Sequence, residues 1–414
     1  MAPKQNCEKE RDEAISKNNE AIKMIRDLLQ YVTYDPISYR TLKPGNMVVG
    51  PDGISYGKET AERLIENLIF KSPFTRGRFP CPNKQCLVQP LALKKVFDLA
   101  AGTSLGKSVA AELEYDDMEI VDGVLTKYHG YEENVIIPDS VTAIGDEAFA
   151  ESRLRSVVIP DSVETIGKKA FHAIGLTSLK LGKKVKRIGQ YAFQANKLAS
   201  LIIPDAVEII EKEAFRSNNL TSLTLGKKVK RIGEMAFQAN KLASLVIPDA
   251  VETIEDAAFY NNKLTSLTLG KKVQHIGENA FAFNQLASVD IPDAVETIEK
   301  EAFRYNNRKL TSLTLGKKVK RIGEYAFGDN ELESLVIPDA VETIEEGAFS
   351  SNQLTSLKLG KKVKHIGAGA FAFNELTSVD IPDAVETIGK NAFSGNQLTL
   401  LTLGKKVKRI GEYA

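Results

Sequence analysis

The sequence predicts an α+β chain: a small mixed domain of helices and one hairpin, followed by a β-rich solenoid of 22-residue units. Two observations predict it. A phenylalanine recurs every 22 residues from Phe149 to Phe393, with one gap of 24, and a fixed period of that size marks stacked repeats. Before residue 101 the apolar spacing is instead helical, broken by turn residues.

The totals bound the function. The 414 residues carry a net charge of +1, with 26% charged and 43% hydrophobic residues. That composition suits a chain able to bury a core and predicts no general attraction to nucleic acid or an anionic membrane. Three cysteines, all before residue 87, make no disulfide framework and point to a reducing compartment. The charged start "MAPKQNCEKERDEAISKNNE" has no apolar signal core, and no run approaches the roughly 20 apolar residues of a membrane span.

Taken in order, the elements divide the chain into 1–33, 34–100, 101–117 and 118–414. Residues 8–32 read as a helix, with Ile15, Ile22, Ile25, Leu29 and Val32 at helical spacing. It either packs on the next domain or pairs with a second copy as a coiled coil in a homodimer. In 34–100, "MVV" and "ISY" flank the turn signal "GPDG" and read as a hairpin. Ala61, Leu64, Ile65, Leu68 and Ile69 form one helix face, "SPFTRGRF" is a proline-fixed loop, and "LALKKVFDLAA" is a closing helix. "AAGTSLGKS", at 100–108, matches a loose phosphate-loop pattern. It follows a helix rather than a strand, so it reads as linker.

Cys81 and Cys86 look like half a zinc site, but the region holds no other cysteine and no histidine precedes His129. A structural zinc needs four ligands, so the two read as free thiols, the alternative being a metal shared between two molecules, and no metal or other cofactor is expected. The remaining histidines, His172, His275 and His365, have no histidine or cysteine at i+3 or i+4. The last two stand at an arginine position of the repeats, which reads as solvated surface.

One unit, "NKLASLIIPDAVEIIEKEAFRSN", places Leu198, Leu201 and Ile203 at L-x-x-L-x-L spacing, then Val207, Ile210, Ala214 and Phe215. Burying such a phenylalanine is worth about 1.5–3 kcal/mol, and only a neighbouring unit can bury it. Asparagines three residues after successive phenylalanines, from Asn196 to Asn396, form a ladder suited to satisfying backbone groups in the turns. Units alternate between "LGKKVKRIG", as at Lys227, Lys228, Lys230 and Arg231, and "IPDAVETIE", as at Asp249, Glu252 and Glu255. Strands about 4.7–4.9 Å apart lie well inside a Debye length of about 8 Å. Cross-unit ion pairing is therefore expected rather than polyanion binding.

These repeats resemble the BspA-like leucine-rich repeats, with "MEIVDGVLTKYHGYEENVIIPDS" similar to the lead-in and N-terminal cap of such arrays. Residues 34–100 resemble the U-box domains of E3 ubiquitin ligases. The resemblance rests on Pro36-Ile37-Ser38, Gly53-Ile54-Ser55-Tyr56, Pro73-Phe74-Thr75-Arg76 and the closing-helix residues Leu91, Leu93, Val96 and Phe97. The chain departs from the family at Asp35, Leu64 and Val88-Gln89-Pro90.

The resemblance implies a zinc-free RING-like fold and an E3 that recruits an E2–ubiquitin conjugate without a covalent intermediate. The repeats would bind the protein substrate, and the ligase would act in eukaryotic cytoplasm, or in host cytoplasm as a bacterial effector. It assigns Ile37, Tyr39, Leu64, Pro73 and Phe74 to E2 docking and Arg76 to holding the closed E2–ubiquitin arrangement. The alternative is a non-catalytic adaptor with a degenerate U-box. An outward-facing adhesin is a further reading.

Overall fold

A computed structural model describes residues 47–49, 55–57, 117–307 and 309–414. The chain divides into two units, 1–116 and 117–414. In the first, β1 (Met47–Val49) pairs antiparallel with β2 (Ser55–Gly57), Val48 opposite Tyr56. This is the hairpin expected around "GPDG".

The second unit begins with the antiparallel pair β3 (Met118–Val121) and β4 (Val124–Tyr128). From β4 onward every pairing is parallel and in repeat register, for example Ile188 with Ile210 and Ile210 with Ile232. Two strands per unit build the wall. A two-residue strand, such as Ile209–Ile210, joins one fifteen-stranded sheet that follows chain order. A three-residue strand, such as Ser200–Ile202, joins short sheets that mostly pair an "IPD" unit with the "LGKK" unit after it. The structural period is thus doubled, as is the charge pattern. Gly226 marks the close approach within such a pair: a Cβ there would fall on the carbonyl of Pro204.

The expected α+β class is corrected. Among the described residues there is no helix, and residues 117–414 are a parallel β-solenoid. The helices read at 8–32, after Thr60 and around 91–100 lie outside the described residues. Within the repeats, the Ala-Phe segment forms turns instead of a helix because its amides bond along the stack. Glu213, Phe215 and Ser217 donate to Glu234, Ala236 and Gln238 of the next unit at 2.8–2.9 Å. Left-handed φ values near 54° and 55° at Glu213 and Ser217 turn alternate amides into that direction.

The core is a column. Phe149 to Phe371 are fully buried, and their rings stack with centroids mostly 5.0–5.5 Å apart, Tyr128 closing one end over Phe149 at 5.2 Å. Burial pushes the Tyr128 hydroxyl up to about 12. Beside the rings runs the asparagine ladder. The Asn240 amide donates to the carbonyls of Phe215 at 3.0 Å and Phe237 at 3.1 Å, while its oxygen accepts from the Leu220 amide at 3.1 Å. Units too short to bury anything alone are joined by apolar contact and by this repeated three-way bond.

Candidate binding surface

The two-residue strands place one charged row at the start of the long sheet's segments and a second on the sheet itself. In the first, the lysine after the valine of "LGKKVK" reaches back one unit: Lys186 to Glu164 (2.7 Å), Lys230 to Glu208 (2.8 Å), Lys320 to Glu296 (2.7 Å) and Lys364 to Glu342 (2.7 Å). The hydrogen bond and charge of Lys230 hold the Glu208 carboxyl below its ordinary value, and the same bond holds Lys230 above its own. In the second row Arg231 meets Glu255 at 2.6 Å, and Arg321 bridges Glu299 and Glu345, each at 2.7 Å.

Of the cluster singled out from sequence, Lys227 pairs with Asp205 at 3.9 Å, Lys230 and Arg231 are paired as above, and Lys228 has no ion pair among the described residues. Asp249 accepts from the Lys271 amide at 3.0 Å, Glu255 holds Arg231, and Glu252 faces the break made by Gln274. The basic stripes are therefore largely neutralised by their neighbours, as the alternation implied.

His275 and His365 occupy the arginine row, half-buried and exposed respectively. The His365 Nδ1 and Thr387 Oγ1 share a hydrogen bond of 2.9 Å, the donor depending on the imidazole tautomer. His365, Gly367 and Gly389 line a shallow groove of ≈ 770 Å³ together with Glu345, Lys390 and Arg409. His129 lies 3.6 Å from Glu119, both exposed. No three His, Cys, Asp or Glu side chains converge on a metal-sized site among the described residues. Ile37, Tyr39, Leu64, Pro73, Phe74 and Arg76, like Cys81 and Cys86, lie outside the described residues.

Sequence reasoning missed an aromatic cluster. Tyr260, Phe283 and Tyr305 contact in series on the outside, with ring centroids 5.1 and 5.0 Å apart. Its signal was present: Phe283 and Tyr305 stand two residues after a buried phenylalanine, where other units carry Ala195, Ser217 or Ala239.

The BspA type leucine rich repeat region model matches residues 127–243, 186–308 and 301–414. No curated protein matches the sequence. Among solved structures, a leucine-rich repeat protein from Bacteroides ovatus is 22% identical over 72% of this chain and 87% of its own, with a TM-score of 0.43. A leucine rich cell surface protein from Faecalibacterium prausnitzii is 23% identical over 72% and 93%, at 0.40. The pneumococcal vaccine antigen PcpA is 21% identical over 72% and 86%, at 0.45. With the family model spanning residues 127–414, the chain belongs to the BspA-type leucine-rich-repeat family.

Proposed function

We propose that this chain is a non-catalytic interaction protein whose solenoid binds a protein partner. One observation carries the reading. The inward rows repeat the same residue from unit to unit, while an outward row varies freely on the same backbone. The position two after each buried phenylalanine holds Ala239, Asn261, Phe283, Tyr305, Asp329, Ser351 and Phe373 in succession, each at φ between 53° and 57°. Such a scaffold presents chosen side chains at fixed spacing, and extended repeat surfaces serve recognition.

A second reading, the E3 ubiquitin ligase, is supported by the U-box resemblance of residues 34–100. The β1–β2 hairpin falls where that resemblance has its own. Two short strands are common to many small domains, so the hairpin adds little weight. In this reading Ile37, Tyr39, Leu64, Pro73 and Phe74 dock the E2, Arg76 holds the reactive arrangement, and the contribution is positioning. The partners are then an E2, ubiquitin and a substrate on the repeats, in eukaryotic or host cytoplasm.

Discharge of E2–ubiquitin thioesters by the full chain, across a panel of E2 enzymes, separates the two. The adaptor reading expects no acceleration with any E2. Acceleration that is lost in a folded Ile37→Ala variant would replace it with the ligase.

A further inference from the structure

We propose that the outward cluster of Tyr260, Phe283, Arg304, Tyr305 and Tyr325 is the docking point for a cationic segment of the protein partner. That segment presents an arginine or lysine beside apolar side chains. The inference rests on the protein-binding reading above and names its surface.

The first argument is backbone cost. Phe283 and Tyr305 have φ of 57° and 53°, a region where bulky residues are rare and strained. Their burial is only partial, 43% and 40% of each residue staying exposed where the core phenylalanines are fully buried. Alanine, serine and asparagine fill the same position in other units, so the fold does not require aromatic rings there. Large apolar faces left open at such a cost are placed for something outside the chain.

The second argument is bracing. The guanidinium of Arg304 lies between two rings, 4.6 Å from the Tyr305 centroid and 4.7 Å from that of Tyr325. Its Nε donates to Asp329 at 2.9 Å and its Nη1 to Glu301 at 3.1 Å, and Nη2 donates to the Tyr305 hydroxyl at 3.3 Å. Arg304 thus turns all three of its nitrogens to partners within the cluster and serves to fix the rings. Tyr325 is seated in turn by Gly347, where a Cβ would fall on its ring. Other units carry Glu301 and Ala257 at that same left-handed position, so φ alone does not demand a glycine and the Tyr325 ring does. Fixed aromatic side chains lose little entropy on binding, the property of interface hot spots.

Charge decides the occupant. Glu301, Glu324, Asp329 and Glu346 lie around the cluster and outnumber its cations Arg304 and Lys300. Burial, then the nearby Glu346 carboxylate, raises the Tyr325 hydroxyl above its ordinary value. An anionic partner such as nucleic acid would be repelled. A lysine or arginine finds both carboxylates and ring faces, which attract cations. The rings are tilted by 53° and 38° to one another, so they make a corrugated surface that apolar side chains can enter rather than a flat platform.

The test is selection of a random-peptide display library on the immobilised full chain, then titration of the enriched sequence as a synthetic fluorescein-labelled peptide. Alanine already stands at the equivalent position in other units, so Phe283→Ala/Tyr305→Ala should keep the fold and a cooperative melting transition. The expected result is peptides with Lys or Arg beside apolar residues, bound at least tenfold more weakly by that double variant and equally by Phe373→Ala. Enriched peptides indifferent to the double variant would sink this surface while leaving protein binding in place. Acidic peptides would sink the charge assignment, and the absence of any enriched peptide would count against both readings.

Discussion

Replacing Asn240 by alanine tests how the stack is held together. The side chain is buried and makes three bonds at 3.0–3.1 Å, two as donor and one as acceptor, besides a long one to the Gln238 carbonyl at 3.4 Å. The two carbonyls are not orphaned by the change, because Phe215 also accepts from Asn218 and Phe237 from Asn262, at 3.1 and 3.0 Å. Each loses one of two partners, at about 0.5–1.5 kcal/mol net. The Leu220 amide has no second acceptor among its hydrogen bonds, and a buried orphan donor costs about 1–3 kcal/mol. The total is about 2–6 kcal/mol. Urea denaturation followed by circular dichroism measures it, with the exposed Lys241→Ala as a control expected within about 0.5 kcal/mol of wild type. Hydrogen exchange should speed up at the Leu220 amide in particular. A loss no larger than that of the control, with Leu220 still protected, would refute the ladder as a stabilising element.

Three other outcomes follow from the same geometry. Phe259→Ala removes a fully buried ring stacked 5.4 Å from both neighbours and should cost about 3–5 kcal/mol; denaturant midpoints check this. Replacing Lys227, Lys228 and Lys230 with Glu should lower the Tm more at low salt than at high salt, while tight salt-sensitive RNA binding by the wild type would revive a nucleic-acid role. Stability should also fall at both ends of the pH range. Lysine hydrogen bonds and charge lower Glu208, Glu296 and Glu342, whose contribution is present above their unfolded value of about 4.3 and lost as pH falls through the lowered one. Lys230, Lys320 and Lys364 are raised, first by the reciprocal hydrogen bonds, and contribute below about 10.4, with the loss coming as pH rises through the raised value. Melting curves across pH, at low and high salt, should show a plateau between those limits that is more pronounced at low salt.

The solenoid was legible because its period is carried by residues that must be buried. The phenylalanine column, the asparagine ladder and the alternating ion pairs all follow from register alone. The long sheet was not legible. The L-x-x-L-x-L signal drew attention to strands such as Ser200–Ile202, yet the continuous sheet runs through pairs such as Ile209–Ile210. Two residues are too few to show a period of two. The α+β class failed because helical spacing before residue 101 was weighed equally with the repeats, whose turns bond along the stack. The aromatic cluster escaped notice since Tyr260, Phe283 and Tyr305 are adjacent only after stacking and occupy two different rows of the unit. The E2-docking surface was argued from resemblance, and its residues lie outside those described.

The central claim is that a protein partner binds on the solenoid's outward rows. Cross-linking mass spectrometry of the full chain in extract from its source cells tests this most directly. The account predicts reproducible partner crosslinks concentrated on residues 118–414, diminished when Phe283 and Tyr305 are replaced by alanine. Crosslinks confined to residues 1–116, with the repeats bare, would contradict it.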